Sequence, residues 1–228
     1  RYSKLKHTRE LPTEVMNDCL KIGKIKINDI DIISIGFLPK KHLDEFYLKP
    51  TLNDSKKFGF IFDGIDRIKN LINLEEIIRD KLRYKNKIEF NNHHYCHLAS
   101  TFYPSGFKKS LIVSYDGLGE YETGLIGIGK KDKIKIIYNK NQFPDSLGLI
   151  YSAITHFLGW KAFYDEGIIM GLAPFGNPNK KIPNSKKKYL EVFRKIIQYE
   201  SGLNYKINPE WITYNYERNS WLSKKFIK

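Results

Sequence analysis

The stretch Asn92-His93-His94-Tyr95-Cys96-His97 is followed, at the end of an apolar run, by Asp116-Gly117-Leu118-Gly119. His93 and His97 stand at i and i+4, so on a helix their rings leave the same face and can share one ion, whereas His94 lies about 100° away around the axis. Two imidazoles and the Asp116 carboxylate suit Fe(II) or Zn(II), with positions left open for water or a substrate. A histidine pair alone serves core packing equally well, but the aspartate narrows the choice, because a carboxylate ending a buried strand is costly without a partner. Gly117 and Gly119 let the backbone turn tightly and offer N–H groups to a phosphate. Asp-Gly is also an ordinary hairpin signal, so a plain β-turn is the alternative at that position.

These residues need a frame, and the sequence supplies an α/β one. Apolar residues Val15, Met16, Cys19, Leu20 and Ile22 recur at helical spacing after Thr13, a candidate N-cap, with Gly23 near the end. The β-branched run from Asp29 to Phe37 predicts a buried strand. Leu43 to Phe62 is aromatic and irregular, and Leu71 to Leu82 returns to helical spacing. Ile88-Glu89-Phe90 reads as a short strand, Asn91 or Asn92 as a cap, and His93 to Tyr103 as a helix stopped by Pro104-Ser105-Gly106. Ser110 to Tyr115, Thr123 to Ile128 and Lys133 to Tyr138 are expected strands, the last two joined by the turn Gly129-Lys130-Lys131-Asp132. Three helices are expected after them: Ser146 to Leu158, Glu166 to Leu172, and Lys186 to Gln198 with Tyr189, Val192, Phe193 and Ile197 facing in.

At 228 residues and 41% hydrophobic, the chain can bury roughly 70% of its unfolded surface, which is enough for one sizeable core or two small ones. No run of about 18 apolar residues is present to span a bilayer, and no signal peptide is evident. Two cysteines, Cys19 and Cys96, are too few for a disulfide framework, so the expected compartment is the cytoplasm. Cys96 reads as a small buried hydrophobe. The net charge of +14 invites a polyanion partner, yet the lysines are spread thinly along the chain and suit a solvated surface. Nucleic acid is therefore not the expected partner, and oligomeric state cannot be read.

Five motifs together resemble the NodU/CmcH family of O-carbamoyltransferases. They are His93-His94-Tyr95-Cys96-His97-Leu98-Ala99-Ser100, Phe102-Tyr103-Pro104-Ser105-Gly106-Phe107, Asp116-Gly117-Leu118-Gly119-Glu120, Ser146-Leu147-Gly148-Leu149-Ile150-Tyr151 and Met170-Gly171-Leu172-Ala173-Pro174-Phe175-Gly176. The resemblance implies an actin/hexokinase-like (ribonuclease H-like) ATPase domain, similar to the tRNA threonylcarbamoyl transferase. It implies an enzyme that uses ATP and carbamoyl phosphate, through a carbamoyl-adenylate, to carbamoylate a hydroxyl of a small-molecule or sugar acceptor. On that pattern His93, His97 and Asp116 match metal ligands, and Lys6 matches a basic catalytic residue near the carbamoyl and phosphate groups. Gly117, Gly119, Glu120 and Thr123 fall in the phosphate loop, while Glu166 and Gly171 fall in the nucleoside-binding segment. His94, set off the metal face, is the candidate general base for the acceptor hydroxyl; a histidine hydrogen-bonded behind the metal site is the alternative.

The pattern has departures. The family's first hairpin, a later metal carboxylate and the YrdC-like domain do not occur in residues 1–228, and Ile168 stands where a lysine is expected. The expectation is a single domain incomplete at both ends and inactive alone. Two further functions fit the residues: a tRNA threonylcarbamoyl transferase-like enzyme, supported by the positive charge, and a non-catalytic basic module that binds nucleotide or RNA with structural histidines.

Overall fold

In the computed structural model, residues 11–217 and 220–227 are described. The chain is a mixed α/β domain with small sheets. The first sheet pairs β1 (Ile32–Ile35) with β2 (Lys87–Phe90) in parallel, Ile33 opposite Ile88 and Ile35 opposite Phe90. A parallel pair needs a long crossover, and here it is helical: residues 39–53 form a continuous run, followed by helices Phe58–Phe62, Ile65–Ile72 and Leu74–Leu82. The stretch that looked irregular in sequence is thus mostly helix. Its pattern is obscured because Leu43–Leu48 is wound as a π-turn, which breaks the 3.6-residue period. The expected buried strand from Asp29 to Phe37 is shorter than predicted, and Ile32 is exposed.

The second sheet is antiparallel, in the order β3 (Lys109–Tyr115), β4 (Gly124–Lys130), β5 (Lys133–Tyr138). The expected four-residue turn tightens to Lys131-Asp132, with Lys131 in the left-handed region at φ 57°. Helix His93–Phe102 lies on this sheet. Asn92 caps it, its Oδ1 accepting from the Tyr95 N–H at 2.9 Å. His94, Leu98 and Phe102, one stripe at i, i+4 and i+8, are its buried residues. Leu98 and Phe102 pack with Ile112 and Leu125 of the sheet. Gly129 in β4 makes room for this contact, since a Cβ there would sit 2.5 Å from the Phe102 ring.

A second apolar cluster builds the C-terminal part. Leu149 and Ile150 of helix Leu147–Phe157 meet Ile196, Ile207, Ile212 and Tyr214. Helix Glu166–Leu172 follows within its expected bounds. The third expected helix spans Tyr189–Ile196 and turns directly into a hairpin, β6 (Ile197–Tyr199) with β7 (Tyr205–Ile207), which the sequence pattern did not suggest. Val192, Phe193 and Ile197 pack on the cluster, whereas Tyr189 is exposed rather than facing in. Thr13 begins its helix instead of capping it, with Pro12 at the cap position. Cys96 is half-buried and Cys19 exposed, both free. Among the described residues no helix is long and apolar enough to cross a membrane.

Candidate metal and phosphate site

The stripe that buries Leu98 and Phe102 decides where the histidines go. His94 shares it and is fully buried against the sheet, while His93 and His97 flank it on the face above the end of β3. There the Nε2 atoms of His93 and His97 lie 2.9 Å apart, and the Asp116 Oδ2 is 2.8 Å from the first and 3.3 Å from the second. One ligand atom from each of these residues falls within 4.8 Å of the others, a grouping able to hold a metal ion. The second oxygen, Asp116 Oδ1, is buried and lies 3.3 Å from the His94 Nε2, with no hydrogen bond among the described residues.

The electrostatics follow from this crowding. The hydrogen bond to Asp116 outweighs burial and holds the His93 imidazole above its ordinary range, a backbone hydrogen bond to Gly36 adding to it. Burial pushes the Asp116 carboxyl up, but the His93 hydrogen bond and the neighbouring imidazoles leave it below its usual value.

His94 has a different place. Its Nε2 is 3.0 Å from the Glu122 carbonyl, which can only accept, so that nitrogen carries the proton. Its Nδ1 lone pair then accepts from the Ser114 hydroxyl at 2.8 Å. With both nitrogens engaged and burial lowering its pKa, His94 has no free lone pair for an acceptor hydroxyl. This geometry favours the alternative to the general-base role, a histidine packed behind the His93, His97 and Asp116 cluster. The signal was in the sequence, because His94 is i−4 from Leu98 and i−8 from Phe102 on the core stripe.

The loop after Asp116 is closed by its own backbone. Asp116 N–H donates to the Thr123 carbonyl and Gly119 N–H to the Glu122 carbonyl. The N–H groups of Gly117 and Leu118 have no acceptor among the described residues. Several residues expected to face a phosphate are already occupied. The Gly119 N–H is spent in the turn, and Gly119 is a glycine because a Cβ would sit 3.0 Å from the His94 ring. The buried Thr123 hydroxyl donates to the Asp145 carbonyl at 2.6 Å. Glu120, fully buried, accepts from the His93 and Leu38 N–H groups and from the Asn92 amide.

Helix Leu147–Phe157 presses its N-terminus on this loop. The Ser146 hydroxyl, its cap, accepts from Leu149 N–H at 3.0 Å and donates to the Gly117 carbonyl at 2.7 Å. Gly148 fits only without a side chain, since a Cβ would lie 2.5 Å from the Asp116 carbonyl. These two contacts explain the Ser-Leu-Gly spacing. Glu166 accepts from the Ser152 hydroxyl at 2.6 Å and from the Phe163 N–H, and Gly171 lies in open space. Lys6 lies outside the described residues. Two residues that sequence reasoning missed stand beside the site. Lys41 forms an ion pair with the largely buried Glu122, and His42 Nδ1 donates to the Glu120 carbonyl at 2.6 Å.

Residues 1–228 match the family model described as carbamoyltransferase N-terminus. Among curated proteins, sll1178 of Synechocystis is 28% identical over 224 residues, covering 94% of this chain and 35% of that protein. The nodulation protein NolNO of Sinorhizobium fredii is 31% identical over 180 residues, covering 78% of this chain and 25% of its own length. The nodulation protein NolO of Bradyrhizobium diazoefficiens is 33% identical over 136 residues, with coverage of 59% and 23%. The chain thus spans between 23% and 35% of the length of these relatives.

Proposed function

The chain belongs to the carbamoyltransferase N-terminus family, and on that premise we propose that its protein is an ATP-dependent O-carbamoyltransferase. It moves a carbamoyl group from carbamoyl phosphate, through a carbamoyl-adenylate, to a hydroxyl of a small-molecule or sugar acceptor. The domain is the N-terminal part of that enzyme, of actin/hexokinase-like architecture, acting with a YrdC-like partner domain. The observation that carries this reading is the convergence of His93, His97 and Asp116 on one point beside a loop whose Gly117 and Leu118 N–H groups have no acceptor among the described residues.

The donor set fits a metal: two imidazole nitrogens, a carboxylate, and a buried Asp116 Oδ1 that makes no hydrogen bond among the described residues. Two imidazoles and a carboxylate are donors that suit iron(II) or zinc(II). Such an ion supplies charge neutralisation to phosphate oxygens and orients them.

The chain's own groups complete the site. The N–H groups of Gly117 and Leu118 donate to a phosphate, where preorganised donors stabilise developing charge, and the family resemblance assigns Lys6 the same task. Helix Glu166–Leu172 seats the nucleoside, Gly171 leaving its backbone open to close approach. His94 orients the loop through the Glu122 carbonyl and Ser114 rather than taking a proton from the acceptor.

The test uses the protein at its natural full length. Near-stoichiometric iron or zinc, lost in His97→Ala, together with carbamoyl-phosphate-dependent release of pyrophosphate from ATP, is the expected result. Absence of both in the wild type overturns the proposal, and salt-dependent tRNA binding in their place would favour the threonylcarbamoyl transferase-like alternative.

A further inference from the structure

Glu120 is a carboxylate with no exposed surface, and none of the three donors to its side chain is a cation. Its Oε1 accepts from the N–H groups of His93 and Leu38, both at 2.9 Å, and its Oε2 accepts from Asn92 Nδ2 at 2.8 Å. A buried charge is expensive unless hydrogen bonds replace its water, and here backbone amides, one of them at a helix N-terminus, do so. The three donors come from two places: the turn after β1 and the start of helix His93–Phe102. Their common acceptor sits on the loop that also carries Asp116.

We infer that Glu120 is a positioning residue for the metal centre, holding the first turn of the histidine helix at a fixed distance from the Asp116 loop. The inference rests on the metal reading above. The geometry supports it through connectivity. His93 reaches Asp116 across 2.8 Å, and its backbone N–H is bound to a residue on the Asp116 loop. A shift of the helix start relative to that loop opens both contacts together. The helix keeps separate anchors, because His94 is held by Ser114 of β3 and by the Glu122 carbonyl just before β4, and Leu98 and Phe102 are packed on the sheet. Losing Glu120 therefore moves the start of the helix without releasing it.

Glutamine tests this well. It can accept from the His93 and Leu38 amides, but its NH₂ then faces the Asn92 NH₂. Turning the Asn92 amide to relieve that clash gives up the cap on Tyr95 N–H. The experiment is a cobalt(II) titration followed by visible absorption, with zinc competition, on the full-length protein and on Glu120→Gln, Glu120→Asp and Tyr214→Phe. The last variant controls for lost stability, since it removes a buried hydrogen bond to the Pro144 carbonyl in the C-terminal cluster.

Glu120→Gln is expected to bind cobalt roughly 10–100-fold more weakly, the range seen when groups behind metal ligands are removed, and to shift its absorption bands. Glu120→Asp keeps the charge but withdraws it by one methylene, and should fall between. Tyr214→Phe should match the wild type at a comparable melting loss. Wild-type affinity and spectrum in both Glu120 variants would overturn the inference, and Glu120→Asp decides it alone if the glutamine variant does not fold. Failure of the wild type to bind cobalt or zinc is a different result, which overturns the metal reading and this inference with it.

Discussion

His93 Nε2 and Asp116 Oδ2 lie 2.8 Å apart across 23 residues of sequence, the first on a helix and the second at the end of a strand. In the metal-free protein this contact is an ion pair whenever the imidazole is protonated. Because the pKa of His93 is raised from 6.5, the stability it contributes is fully present below pH 6.5 and lost as pH rises through the raised value. The lowered Asp116 pKa acts at the other end, its contribution lost as pH falls through that lowered value. A metal needs the neutral imidazole, so its affinity runs the opposite way and rises as His93 gives up its proton. Melting temperature of the metal-free protein and metal affinity, measured between about pH 5 and 8, should therefore have slopes of opposite sign near the His93 titration. Metal affinity that is flat across that range would contradict the assignment of His93 as a ligand.

Gly148→Ala places a methyl group 2.5 Å from the Asp116 carbonyl. The obstacle is backbone on both sides, so the helix start must back away from the loop, at about 1–3 kcal/mol for an overpacked contact. Chemical denaturation should show that loss. Metal affinity should fall as well, because the displaced peptide belongs to a ligand. A variant with wild-type stability would show that the helix and loop are less closely packed than described.

Ser146→Ala removes one hydroxyl with two duties, the cap on Leu149 N–H and the donor to the Gly117 carbonyl. Loss of the cap costs about 1 kcal/mol, and losing the hydrogen bond to the half-buried Gly117 carbonyl adds about 0.5–1.5 kcal/mol. Thr restores the hydroxyl and should recover much of the loss, which a cavity effect alone would not allow. Urea titration of Ser146→Ala and Ser146→Thr separates the two cases.

Gly171→Ala should divide stability from ligand binding. Nothing lies within 4 Å of a Cβ at this helical position, so alanine should stabilise the protein by about 0.5–1 kcal/mol. If the nucleoside seats on this backbone, ATP affinity measured by calorimetry should fall in the same variant. A gain in stability with unchanged ATP affinity would move the nucleotide away from helix Glu166–Leu172.

The grouping of His93, His97 and Asp116 was legible because each member carries a local signal: an i, i+4 histidine pair and an aspartate at the end of a strand. Helices His93–Phe102 and Leu147–Phe157 were legible for a similar reason, their caps at Asn92 and Ser146 being visible residue types. Glu120 was read only as a member of the phosphate loop, because nothing in Gly-Leu-Gly-Glu reveals that the side chain turns inward to meet amides from residues 38 and 93. Such long-range partners leave no trace in spacing. The helical run over 39–53 was hidden by its π-turn, and the β6–β7 hairpin by being only three residues on each side.

Asp116 and Gly119 donate their N–H groups to Thr123 and Glu122, and Thr123 in turn donates to Asn141. The loop that bears the Asp116 carboxylate is thus stitched into the ladder of β3 and β4 instead of hanging from it. Surface loops usually exchange their amide protons through small local openings, whereas ladder amides wait for larger cooperative ones. Deuterium uptake at Asp116 and Gly119 should accordingly be slow and keep pace with that of Leu125 inside β4. The ligand loop would then come apart only when the sheet does.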